Sequence, residues 1–225
     1  MEGILGGLEQ WLAFSLNDLP YIAAVLLIAF TVHEFAHAAV AYAFGDDTAK
    51  EEGRLTLNPA KHLDPFGTLL LFLAGFGWAR PVPVNRFKLK RPRLGSILVS
   101  LAGPMSNFLL AVLGFLLLYT FASFSWGWQM PVWMTHFLDW FIWLNLVLFV
   151  FNLLPLPPLD GYRIIEDIMP THIRVKMVEW EQYGILIFLI LIITPLQAYT
   201  IDPIFNVVLR GLVQGLQTIF FHLFA

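Results

Sequence analysis

The sequence predicts an all-α polytopic membrane protein, with about five to six transmembrane helices and an additional apolar segment that enters and leaves on one side. Three observations predict it. Of 225 residues, 58% are hydrophobic and only 13% charged, too little polar surface for a soluble domain of this length. Apolar stretches occupy 19–44, 94–124, 137–159, 183–200 and 203–225, several of them reaching the roughly 20 residues that a membrane-crossing helix needs. The basic residues gather in short loops between these stretches, the pattern that sets membrane orientation.

The elements follow in order. The opening "MEGILGGLEQWLAFSLNDLP" carries Glu2, Glu9 and Asp18 and no Lys or Arg, so it lacks the positive region of a cleavable signal. Leu5, Leu8, Trp11 and Leu12 share one helical face, as in an amphipathic helix lying at the interface. After the first span, loop 45–64 holds Lys50, Arg54 and Lys61. The run 66–79, "FGTLLLFLAGFGWA", is too short to span and is basic on both flanks. A re-entrant piece resolves both facts. Gly75, Gly77, Pro81 and Pro83 favour turn and extended backbone there. Non-helical backbone at membrane depth needs surrounding protein or a water-filled cavity, so this piece should line one. Asp64-Pro65-Phe66-Gly67 reads as the turn that enters it.

Loop 80–93 adds Arg80, Arg86, Lys88, Lys90, Arg91 and Arg93, and loop 160–181 adds Arg163, Arg174 and Lys176. Loop 123–136 has no Lys or Arg but has Trp126, Trp128 and Trp133, as expected of an outer aromatic belt. The basic loops are therefore expected in the cytoplasm and the N-terminus outside, and five full spans leave the C-terminus inside. In span 94–124, Ser96, Ser100, Gly103, Asn107, Ala111 and Gly114 form a stripe of small residues, which the first span answers with Ala29, Ala36 and Ala43. Such stripes let helices approach closely. One domain covers 1–225, its core 20–161 and its closing helices 183–225, with no repeat and no added soluble module. The net charge of −3 comes without a basic tract of nucleic-acid type, and there is no cysteine, which removes thiolate ligands and cysteine nucleophiles. No G-x-S-x-G element offers a serine nucleophile.

Within the first span, "FTVHEFAHAAVAYAF" places His33, Glu34 and His37 in apolar surroundings. Residues four apart share a helical face. H-E-x-x-H on a helix binds zinc through two imidazoles while the glutamate handles the protons of a water on the metal. Ionisable residues inside a span are costly and read first as functional. A catalytic zinc takes three protein ligands and one open position, and without cysteine the third must be His, Asp or Glu. His62, His136, His172 and His222 sit in loops or at span ends. Asp160, in "FNLLPLPPLDGYR", is the better candidate, because Pro155, Pro157 and Pro158 force the chain to unwind before it and Gly161 permits a turn after it. Taken alone, this element reads first as a helix ended by proline and an Asp-Gly turn in water.

"HEFAH" followed by "NLLPLPPLDG" resembles the site-2 protease family, the intramembrane zinc metalloproteases. Asn152, Pro155, Leu159, Asp160 and Gly161 match its N-x-x-P-x-x-x-L-D-G element position by position, and "GPMSN", residues 103–107, resembles its G-P-x-x-N element. "LTLNPAKHLDPFGT" and "GWARPVPVN" are similar to the compact bacterial and archaeal members, and nothing resembles a PDZ or CBS module. The resemblance implies one Zn2+ per chain on His33, His37 and Asp160, with Glu34 as the catalytic base. It places the site below the membrane surface on the cytoplasmic side, in a prokaryotic inner membrane. The implied partners are a transmembrane protein or peptide substrate and the lipid bilayer, with no nucleic acid. It brings Asn152 and Asn107 near the site, where each would bind substrate backbone or steady an oxyanion, or else tie helices together. The extended "WARPVPVN" piece could pair with an unwound substrate as an added strand. The rivals are a metal-transporting permease using the same three ligands, and a relative that binds membrane substrates without cutting them.

Overall fold

The structure is a computed structural model that describes residues 14–74, 77–123 and 130–224. The amphipathic face of Leu5, Leu8, Trp11 and Leu12, together with Trp126, Trp128 and Gly75, lies outside the described residues.

Helix α1, Leu19–Ala43, opens with a proline in its first turn, where the missing N–H costs nothing. A short α2, Thr48–Glu51, and a 3-10 turn at Pro59–Lys61 follow. Asp64 then starts α3, Pro65–Ala74, by accepting the Gly67 N–H at 2.7 Å. The chain returns in extended form, since Leu63 pairs antiparallel with Ala79 and Arg80 N–H reaches the His62 carbonyl at 2.7 Å. The two ends of the apolar run 66–79 therefore stand side by side. The expectation of turn and extended backbone holds for the returning limb only; the outgoing limb is helical, because ten apolar residues satisfy their own backbone best as a helix. A Cβ at Gly67 would strike the Trp78 carbonyl, so the limbs can pass only with glycine there.

Two long helices build the centre: α4, Pro92–Ser123, and α5, Val132–Asn152. The small-residue stripe of α4 is buried along its whole length, from Ser96 to Gly114. Its partner face on α1 is not the one expected. Ala29 is buried, but Ala36 is half-buried and Ala43 exposed. The packed face of α1 centres on His33 and His37 and takes in Ala38 and Ala41 instead. Ala111, Phe115, Ile142, Leu146 and Val150 pack α4 on α5, while Ile22, Val25 and Leu26 pack α1 on Phe141 and Leu144. These contacts hold α1, α4 and α5 around one another.

After α5 the chain turns through its prolines into α6, Asp160–Ile168, then α7, Thr171–Glu181, and α8, Gly184–Ile193. Helix α9, Gln197–Ile204, runs through a π-helical stretch at Phe205–Leu209 into α10, Arg210–Phe224. Four helices among the described residues are long and apolar enough to cross a membrane: α1, α4, α5 and the continuous Gln197–Phe224. The span expected at 183–200 is not one of them. Its helix has 10 residues and stops before Thr194-Pro195, where the proline ring removes a helical donor.

The three basic loops meet on one surface. Arg86 Nη1 lies 2.6 Å from Glu166 and 3.3 Å from Asp167, and Arg174 is paired with the same two carboxylates. Both acids are almost fully buried. Burial lowers the Arg86 pKa, but Glu166 and Asp167 outweigh it and hold the guanidinium above its ordinary value. Lys88 pairs with Asp47, and Arg93 donates to Thr171. The loop following α3 is thus tied to the helix that begins at Asp160.

Candidate metal centre

The i, i+4 spacing on α1 brings the two imidazoles together edge to face, and α6 delivers Asp160 as its first residue. His33 Nε2 and His37 Nε2 are 3.0 Å apart, and Asp160 Oδ2 lies 3.2 Å from the first and 3.4 Å from the second. Donors bound at 2.0–2.2 Å to one tetrahedral ion stand about 3.3–3.5 Å from each other, so the triangle is close to metal-ready. The hydrogen bonds of the opposite ring nitrogens show what occupies it best. His37 Nδ1 faces the Val99 carbonyl at 2.6 Å, which can only accept, so that nitrogen carries the hydrogen. His33 Nδ1 faces Asn107 Oδ1 at 2.7 Å and does the same. In the neutral imidazoles, both Nε2 atoms then present lone pairs toward each other and toward a carboxylate oxygen. Three convergent donors of that kind repel unless a cation lies among them. This second layer of acceptors is the arrangement that orients metal-ligating histidines.

Gly103 closes the same space from α4. A Cβ there would run into both Nε2 atoms, so the helix backbone itself forms a wall of the site. Glu34 stands beside the triangle, nearly buried, and its Oε2 accepts the Val82 N–H at 2.8 Å. Arg54, also buried, donates from Nη2 to the Arg80 carbonyl. Burial lowers its pKa, while the negative charge of Glu34 pulls the other way. The extended limb is therefore fastened over the site from below.

His33, Glu34, His37 and Asp160 line a cavity of about 220 Å3. Phe30, Leu148, Phe151, Trp78, Val82 and Val84 supply its apolar lining. Asn152 lines the cavity as well, its Nδ2 donating to the Leu148 carbonyl at 2.9 Å. Asn107 does not; it is fully buried behind His33, with Nδ2 directed to Asn145 Oδ1 and the Ala29 carbonyl. Other histidines lie elsewhere: His62 is buried against the Thr56 carbonyl, His136 binds Asp18 and His222 meets the Phe221 ring.

Three contributors escaped the sequence reading. The Val99 carbonyl and the Val82 amide are backbone groups and carry no residue signature. Asn145 did leave a signal, because an amide in the middle of an apolar span, seven residues before Asn152, falls on the same helical face.

The profile of Peptidase family M50 matches residues 21–130 and 124–195. The chain is 56% identical over 203 residues to the "Putative zinc metalloprotease YwhC" of Bacillus subtilis (strain 168), covering 88% of this chain and 92% of that one. It is 34% identical over 207 residues to the "Putative zinc metalloprotease Rip2" of Mycolicibacterium smegmatis, covering 84% and 76%. The Rip2 protein of Mycobacterium tuberculosis (strain H37Rv) is 32% identical over 209 residues, covering 85% and 76%. No solved structure matches. A profile match over most of the chain, with relatives alike over most of their own length, shows the family: the chain belongs to Peptidase family M50, the site-2 protease family that its motifs resemble.

Proposed function

We propose that this protein is a zinc metalloendopeptidase of the membrane that hydrolyses peptide bonds in or beside transmembrane segments of other membrane proteins. The observation that carries the reading is the meeting of three convergent donors with a separate carboxylate inside one cavity walled by apolar helices. His33, His37 and Asp160 would hold the ion. A bound Zn2+ would supply Lewis acidity, polarising a carbonyl and bringing the pKa of a water down toward about 7. Glu34, held at Oε2 by Val82, uses its other oxygen to take the proton of the attacking water and returns it to the leaving amine. Asn152, on the cavity wall, has amide capacity left for the substrate backbone or its developing oxyanion. Phe30, Leu148 and Phe151 keep bulk water from the reacting bond.

In this reading the hairpin closed by Leu63 and Ala79 serves as the re-entrant element, and the positive-inside pattern of the three joined loops supports a site toward the cytoplasm. Its returning limb, Ala79–Asn85, lies along the cavity, where an unwound substrate segment can pair with it. Proline substitution tests that pairing, and the structure decides where. Val82→Pro would also strip the hydrogen bond from Glu34. Val84→Pro leaves Glu34 intact and is expected to lower kcat/KM up to about tenfold, the worth of one backbone hydrogen bond, with zinc content unchanged. A Val84→Pro protein that cleaves like the parent would sink the strand-pairing idea.

The experiment for the function as a whole is direct. The purified protein in micelles is incubated with a panel of transmembrane peptides before and after chelation, with zinc measured in parallel. Cleavage that disappears with the metal and returns with zinc supports the reading. A protein that binds zinc and leaves every peptide whole, yet moves zinc across a liposome membrane, would make it a permease.

A further inference from the structure

A polar relay crosses three helices behind His33, and its far end has no part in the chemistry above. Asn145 on α5 is fully buried, and its Nδ2 donates to the Phe141 carbonyl at 2.8 Å. A carbonyl can only accept, so that bond fixes the amide and leaves Asn145 Oδ1 turned toward α4. Asn107 Nδ2 donates to that oxygen at 3.0 Å, and to the Ala29 carbonyl at a longer 3.3 Å. With its donor side committed, Asn107 turns Oδ1 to His33 Nδ1 at 2.7 Å. A neutral His33 must then carry its hydrogen on Nδ1 and leave Nε2 bare, facing His37 and Asp160. Donor directions along the chain run one way, from His33 through Asn107 and Asn145 to the backbone of α5. Without Asn145, only the weaker bond to Ala29 resists a flip of the Asn107 amide, and a flip would face an N–H to His33 and favour the wrong tautomer.

We propose that Asn145 is a positioning residue for the metal centre: by orienting Asn107 it sets the His33 tautomer that offers Nε2 to the ion. This rests on the reading of His33 as a ligand. A mere tie between helices, typically worth about 0.6 kcal/mol in a membrane, would leave metal affinity alone, and that difference is measurable.

The test compares wild type, Asn145→Leu, Asn145→Asp and Leu146→Ala in micelles, by zinc competition against a chromophoric chelator and by thermal unfolding. Asn145→Leu keeps the bulk and removes the acceptor; its zinc Kd is expected to rise about 10–100-fold, as for other supports of metal-ligating histidines. Asn145→Asp keeps the accepting oxygen, and its second oxygen, protonated in the apolar interior, replaces the donor to Phe141. Its Kd should stay within about threefold of wild type. Leu146 is equally buried and lies next in sequence; Leu146→Ala should lower the unfolding temperature and leave Kd unchanged. Should Asn145→Leu fail to fold, Asn145→Ala gives the same comparison. Unchanged zinc affinity in the apolar variant, a loss equalled by Leu146→Ala, or an Asn145→Asp protein as weak as the leucine variant would each overturn the proposal. A wild-type protein that takes up no zinc would instead overturn the metalloprotease reading.

Discussion

Glu34→Gln protein is expected to take up zinc like the wild type and to cleave a transmembrane peptide about 10^2–10^4-fold more slowly. The substitution changes very little else. Gln has the same shape, and its amide oxygen can still accept the Val82 N–H that now binds Oε2 at 2.8 Å. The three converging donors come from His33, His37 and Asp160, so the metal has no reason to leave. What disappears is the ability to accept a proton and pass it on. Single-turnover cleavage with zinc analysis on the same sample checks both halves. Activity within tenfold of wild type would remove Glu34 from the chemistry. Loss of zinc along with activity would make it a ligand rather than a base.

Gly103→Ala is expected to be nearly as damaging by a different route. The added methyl group would enter the space between both Nε2 atoms. Helix α4 cannot back away, since Ser96, Ser100 and Asn107 on the same face are packed against neighbours. The imidazoles must turn aside and lose their bonds to Val99 and Asn107. Zinc affinity should fall by about 100-fold or more, beyond the upper end of what supporting residues cost, and cleavage should fall with it. Helix content should not, because alanine is the better helix former. Gly114→Ala on the same helix is the contrast. Its Cβ would meet Ile142 and Phe141, so it should cost stability and spare the metal. Equilibrium dialysis against zinc and far-UV circular dichroism distinguish the two. Full zinc binding by Gly103→Ala would mean that the wall is softer than the structure shows.

The parts of this protein that were legible in the sequence are those where local geometry decides the outcome. Two histidines four apart on a helix must share a face. Three prolines before Asp160 must break a helix, and α6 begins at that aspartate. The small residues of α4 could line up only because their spacing is helical, and they are buried as a set. Reading failed where the outcome belongs to tertiary contact. Nothing local distinguishes the apolar run 183–200 from a crossing helix except one Thr-Pro pair, yet the helix stops there. Ala36 and Ala43 have the right size and spacing but lie at the margin of the packed face. Asn107 and Asn152 are both expected near the site, on substrate or as ties between helices, and the sequence does not say that the first is sealed behind His33 while the second faces the cavity. That choice depends on how three helices are rotated against one another, which no single stretch encodes.

The limb from Arg80 to Pro83 has an unusual supply of hydrogen-bond donors. Arg80 spends its N–H on His62, Val82 spends its N–H on Glu34, and Pro81 and Pro83 have none to offer. A stray polypeptide brushing past the outside therefore finds no row of amides to zip onto, which blunts the tendency of bare β-edges to recruit neighbours. The Val82 amide becomes available only when Glu34 lets go of it. While that bond stands, the stretch from Arg80 to Pro83 offers an outside chain no free backbone donor.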